Sequence, residues 1–199
     1  MRFGTIGAGN IAQAVARHAA AAGHDVVISN SRGADTLADV ASSLGATAGS
    51  VEEAAAAEIV LLATPWTAVE AALSGIPAWD GRILIDATNA FISFSPTKVE
   101  DFGEGTSSER VASLAPGAHV IKAFNTLFAR FIAADPRHEA GRQLLFYAGD
   151  DADAKARFHA LVDAFGFAPL DLGPLHEGGK LMEAGGGPLS GLHALKQDT

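Results

Sequence analysis

Short, almost wholly apolar runs recur along this chain, with alanine-rich stretches of helical spacing between them. The runs are RFGTI at Arg2–Ile6, DVVIS at Asp25–Ser29, EIVLLA at Glu58–Ala63 and RILID at Arg82–Asp86. Each is too short for a globular helix. Each is also apolar at successive rather than alternate positions, which is how a strand buried on both faces reads. Between the first two, Asn10–Ala22 sets Ile11, Val15 and Ala19 on one helical face, and Gly23 suits the left-handed residue that ends such a helix. Strand–helix alternation with strands of this kind requires a parallel sheet covered on both sides. An α/β fold follows, doubly wound around a mainly parallel sheet.

The alternation continues downstream. Helices are expected over residues 34–44, from the capping box Ser50-Val51-Glu52-Glu53 through Ala57, over 67–73 and near 108–114, with a strand at His119–Phe124. After Asn125 the pattern loosens: a helix at 127–133, a strand at 143–148, a helix at Ala152–Phe165, a strand at Ala168–Leu172 and a short helix around 180–183. Residues 1–125 are therefore expected to form a Rossmann-type domain, and residues 126–199 a small C-terminal lobe packed on its sheet.

The turn between the first strand and the first helix reads Gly7-Ala8-Gly9-Asn10-Ile11-Ala12, or G-x-G-x-x-A. Gly7 permits the tight bend, Gly9 lets backbone approach a diphosphate, and Ala12 lets helix and strand pack closely. The helix N-terminus supplies unpaired N–H groups and a partial positive charge, so no lysine is needed. The end of the second strand reads Asn30-Ser31-Arg32, with no carboxylate to hold a ribose 2′-hydroxyl. Arg32 presents a fork suited to a 2′-phosphate and Ser31 a hydroxyl donor, so NADP is expected over NAD.

The chain of 199 residues carries a formal net charge of −9. An acidic surface repels phosphate backbones, which argues against nucleic-acid binding and leaves anionic ligands to local donors. It has no cysteine, and its seven histidines form no pair at helical spacing, so no metal site is expected. No apolar stretch reaches membrane-spanning length and no leader pattern is visible, so a cytoplasmic protein without membrane attachment is expected.

Further polar residues close the later strands: Thr64-Pro65-Trp66, Asp86-Ala87-Thr88-Asn89 and Lys122-Ala123-Phe124-Asn125-Thr126. Lys122 with Asn125 is a candidate proton-transfer pair, although a lysine at a strand end is more often structural. No acid–base constellation stands out, and no catalytic residue is assigned. Carbonyl reduction needs a proton donor beside the hydride acceptor. Exchange between a nicotinamide and another redox ring needs mainly the juxtaposition of two rings, which suits this sequence better.

Together these segments resemble NADP-dependent oxidoreductases of the family that includes the coenzyme F420-dependent NADP reductases. The resemblance spans the first two-thirds of the chain, and Lys-Ala-Phe-Asn-Thr is its most distinctive part. It implies direct hydride transfer between NADP(H) and the deazaflavin F420. It also implies that Gly7, Ala8, Gly9, Asn10 and Ile11 hold the diphosphate, with Ser31 and Arg32 on the 2′-phosphate. Thr64, Pro65, Asn89 and Ala123 would line the nicotinamide side. Gly185-Gly186-Gly187-Pro188-Leu189 is loosely similar to the family's C-terminal glycine segment. Asp35 and Thr36 stand where a second basic residue would assist Arg32, which weakens the expected phosphate grip. The alternatives are a reductase of a small carbonyl or imine using Lys122 or Asn125, and an NADP-binding sensor without turnover. A small-molecule partner and a homodimer burying the glycine-rich end complete the expectation.

Overall fold

In the computed structural model, which describes residues 1–197, the opening run forms β1 (Arg2–Ile6) and leads into α1 (Asn10–Ala21). β2 (Asp25–Ser29) follows, then a 3-10 turn (Ala34–Leu37), α2 (Ala38–Leu44), β3 (Thr47–Ala48), α3 (Val51–Ala55), β4 (Ile59–Leu62), a second 3-10 turn (Trp66–Ala68), α4 (Val69–Leu73) and β5 (Ile83–Asp86). Next come a hairpin of β6 (Phe91–Phe94) and β7 (Thr97–Val99), α5 (Ser107–Leu114), β8 (His119–Ala123) and α6 (Ala129–Ala133). β9 (Arg137–His138), β10 (Gly141–Gly149), α7 (Ala152–Phe165), β11 (Ala168–Asp171), α8 (Leu175–Met182) and β12 (Leu195–Lys196) complete the order.

The main sheet runs β11-β10-β8-β5-β4-β1-β2-β3. From β3 to β8 every neighbouring pair is parallel. Past Asn125 the chain returns to the same sheet: β10 pairs antiparallel with β8, and β11 parallel with β10. The strand order reverses between β1 and β4, which opens a crevice at their carboxyl ends, where doubly wound sheets bind ligands.

Side chains alternate between two cores because both faces of the strands are covered. On one face Phe3, Ile28, Leu61, Ile85 and Ile121 pack with α1, α2 and α7. On the other, Ile6, Val60, Leu62 and Leu84 pack with Trp66, Leu73, Val111 and Leu175. The capping box forms as expected: Ser50 Oγ accepts from Glu53 N at 3.1 Å, and Glu53 Oε2 from Ser50 N at 2.8 Å.

The short strands β3, β9 and β12 were not expected, α3 stops at Ala55 short of Ala57, and two larger differences bear on the site. The helix expected near 180–183 spans Leu175–Met182 instead. Gly178 and Gly179 read as helix breakers, yet a Cβ on Gly178 would lie 2.5 Å from that of Ala148, so glycine here buys close packing of α8 on β10. Residues 91–99, which carry no strand pattern, fold as the β6–β7 hairpin.

Candidate functional site

The site is built at the carboxyl ends of β1, β4 and β5. Gly7 has φ +111°, and a Cβ there would lie 2.3 Å from the Ala63 carbonyl oxygen, so only glycine lets β1 turn this close to β4. Gly9 is glycine for a different reason. Its backbone is ordinary extended chain (φ −74°), and a Cβ would meet nothing within 4 Å, so the space over it is open. Gly9 caps α1 without any side-chain hydrogen bond, which leaves the first-turn amides without the usual partner. Gln13 Nε2 donates to Ala8 O at 2.8 Å and ties the turn to the helix it starts.

A cleft of about 350 Å³ lies over this turn. Gly9, Asn10 and Ile11 form one side, Thr64, Pro65 and Asn89 the floor, and Phe91, Phe94 and Ala129 the opposite rim. Gly7 and Ala8 are not among its lining residues. Nor is Ala123, which is fully buried in the core on β8. Thr64 Oγ1 is buried with no hydrogen-bond partner in the protein. Asn89 and Asn125 clasp each other: Asn89 Nδ2 donates to Asn125 O at 2.9 Å, and Asn125 Nδ2 to Asn89 Oδ1 at 3.1 Å and to Met182 O at 2.8 Å. That clasp fixes the β5 loop against α8. It follows Phe124, a bulky residue held at φ +65°, a strained conformation of the kind that persists where surrounding structure over-determines it.

At the end of β2, Ser31 and Arg32 are exposed and outside the cleft lining. Asn30 shapes their turn. Its Oδ1 accepts from Arg32 N at 2.9 Å, its Nδ2 donates to Thr36 Oγ1 at 3.0 Å, and Thr36 Oγ1 donates to Gly33 O at 2.8 Å. Among the described residues no carboxylate pairs with the Arg32 guanidinium, Asp35 included.

Lys122 is spoken for. It is fully buried beneath the cleft floor, and its Nζ donates to Asp86 Oδ2 at 3.0 Å, Thr88 O at 2.6 Å and Ser107 Oγ at 3.4 Å. Asp86 in turn accepts from Thr88 N and Oγ1 and from Ser108 Oγ. A lysine whose three donors are used inside the protein positions the Thr88–Asn89 loop and has no contact with a ligand space.

No residue lining the cleft carries a titratable side chain. The single tyrosine, Tyr147, is buried in the sheet with its hydroxyl 3.1 Å from His159 Nδ1; burial, reinforced by the charge of Asp171, pushes its phenol up to about 12. Among the described residues no cluster of His, Asp or Glu forms that would hold a metal, and no helix is long and apolar enough to cross a membrane.

Residues 2–90, which contain the glycine turn, Ser31-Arg32, Thr64-Pro65 and Asn89, match the family described as NADP oxidoreductase, coenzyme F420-dependent. That match covers 89 residues, a little under half of the chain. The chain is also 31% identical over 175 residues to the metalloreductase STEAP3 of Rattus norvegicus, covering 87% of this chain and 34% of the relative, so it spans about a third of that protein's length. Among solved structures it is similar to the hypothetical protein SMa0349 of Sinorhizobium meliloti, with 38% identity and a TM-score of 0.92 over 99% of this chain and 96% of the other. A protein from Arthrobacter sp. FB24 described as an F420-dependent NADP-reductase shares 28% identity, with a TM-score of 0.78 over 88% and 86% of the two chains.

Three features of this site have no counterpart in the sequence reading. Asn30 enters that reading only as a residue without a carboxylate, not as the acceptor of Arg32 N that shapes the turn. Gln13 carries no signal, because its partner is a backbone carbonyl five residues earlier. The aromatic rim was hidden with its hairpin.

Proposed function

We propose that this protein passes hydride between NADP(H) and a second planar redox cofactor, the deazaflavin coenzyme F420. One observation carries the reading: the cleft joins an amide-lined glycine turn to an aromatic rim and is lined by no titratable side chain. The residues fit the dinucleotide. The open space over Gly9 and the uncapped start of α1 suit a diphosphate, and the unpartnered Thr64 Oγ1 suits a polar group on the nicotinamide side.

In this reading Gly9, Asn10 and Ile11 contact the diphosphate, with Gly7 and Ala8 shaping the turn behind them. Ser31 and Arg32 hold the 2′-phosphate, Thr64, Pro65 and Asn89 border the nicotinamide, and Ala123 supports that wall from the core. Residues 1–125 carry the dinucleotide, and residues 126–199 steady the acceptor side through contacts such as Asn125 with Met182. When bound, NADP(H) would supply two-electron hydride chemistry to an acceptor ring held beside Thr64, Pro65 and Asn89, with the accompanying proton exchanged with solvent. The protein's task is to align two rings and keep the Asn89 loop fixed, which requires no protein acid.

The test is to follow nicotinamide absorbance with NADPH and, in turn, F420, FMN and a panel of small carbonyl compounds. Turnover with F420 is expected. Turnover with carbonyls alone would overturn the reading, and NADPH binding by calorimetry without turnover on any acceptor would replace it with a sensor.

A further inference from the structure

The β6–β7 hairpin presents an apolar feature that the fold does not use. Phe94 is 75% exposed at the hairpin end of β6, although it lines the cleft. Phe91, half-buried and also lining the cleft, stands beside it with ring centroids 5.1 Å apart and planes tilted by 38°. The hairpin's base is held firmly. Phe91 N donates to Asn89 O at 2.7 Å, Glu100 N to Ala90 O at 2.9 Å, and Trp66 Nε1 to Glu100 Oε2, while the Phe102 ring meets Trp66 edge-on at 5.5 Å. An exposed aromatic on a fixed base thus lines the same cleft as Thr64 and Asn89, which border the nicotinamide in the proposed function.

We infer that Phe94 and Phe91 form the acceptor's binding wall, stacking on a planar heteroaromatic ring and setting the preference for such acceptors over small carbonyl compounds. This inference rests on the function proposed above. The choice of occupant follows from the cleft itself. Two aromatic faces and no titratable group recognise a flat, apolar ring surface, whereas a small carbonyl would leave the Phe94 face wet. Offset stacking adds to the burial of ring area and discriminates by shape. Because Phe94 is mostly exposed, it contributes little to folding, and its replacement reads binding.

The experiment is calorimetric titration of oxidised F420 into the protein saturated with NADP⁺, a pair that cannot react, using wild type, Phe94→Ala and Phe94→Tyr. Phe94→Ala should raise the Kd for F420 about tenfold and Phe94→Tyr should stay within about twofold of wild type, because tyrosine keeps the ring face. The Kd for NADP⁺ alone should be the same in all three. An unchanged F420 Kd in Phe94→Ala, or a loss in Phe94→Tyr as large as in Phe94→Ala, overturns the inference and leaves the function standing. Light scattering on the same samples adds a further outcome. If Phe94→Ala splits an oligomer and leaves the F420 Kd unchanged, the hairpin is a self-association surface and the inference fails. Wild type that neither binds F420 nor turns it over overturns the function, and the inference falls with it.

Discussion

Lys122 and Arg32 stand at the same edge of one sheet, near the carboxyl ends of β8 and β2, in opposite electrostatic situations. Lys122 is fully buried opposite its register partner Asp86, with every donor consumed by the protein. Arg32 lies in solvent on a turn braced by Asn30, with no carboxylate partner among the described residues. Residue type did not separate them. What separates them is whether donors remain: the buried lysine holds the Thr88–Asn89 loop, and the exposed arginine is left available for an anion. In a chain of net charge −9, such an unpaired cation beside a glycine turn is a local exception to the prevailing field.

The largest effect expected from this contrast is on stability. Lys122→Met leaves the Asp86 carboxylate buried without its cation and should cost about 3–5 kcal/mol in urea unfolding. A loss under about 1 kcal/mol would mean that the hydroxyls of Thr88 and Ser108 satisfy Asp86 unaided, and the contrast would collapse.

Arg32→Ala should leave unfolding unchanged and weaken NADPH by about 1.5–3 kcal/mol, roughly 10- to 150-fold in Kd, with NADH little affected. Equal losses for both coenzymes would remove Arg32 from the 2′-phosphate. The two glycines of the turn sharpen the same distinction. Gly7→Ala places a methyl against the Ala63 carbonyl at a strained φ, and should destabilise the fold by about 1–3 kcal/mol. Gly9→Ala meets no protein atom, so its stability should change by under about 1 kcal/mol. Its methyl would occupy the space over the turn, and NADPH and NADH should weaken alike, by about 1–3 kcal/mol each in calorimetry.

The parts of this molecule legible in its sequence are those where one local rule acts. β1 and β2 follow from apolar runs and α7 from its periodicity, each with the expected bounds. The doubly wound sheet follows from their alternation. The hairpin was illegible because Phe91–Phe94 and Thr97–Val99 are short strands of a separate two-stranded sheet, interrupted by Ser95-Pro96, and it pairs with no strand of the main sheet. The length of α8 was illegible because its Gly178 answers to Ala148, a neighbour distant in sequence. In the site, the glycine turn announced itself, since its spacing is its geometry. The clasp of Asn89 with Asn125 and the bonds of Lys122 to Asp86 and Thr88 join residues 34–36 positions apart, which only the assembled sheet brings together.

Salt gives the smallest expected effect and the most direct check that the two cations differ by environment. Raising ionic strength from about 0.1 M to about 1 M shortens the screening length from about 10 Å to about 3 Å. An exposed guanidinium facing a phosphate then loses an amount on the scale of ~1 kcal/mol, so the preference for NADPH over NADH should shrink by about fivefold or less. The stability difference between wild type and Lys122→Met should not follow, because no solvent ions reach a fully buried pair. Paired calorimetric and urea titrations at the two salt concentrations measure both quantities. A coenzyme preference insensitive to salt would place the discriminating contact inside the protein, away from Arg32, and would make shape rather than charge the reader of the 2′-phosphate.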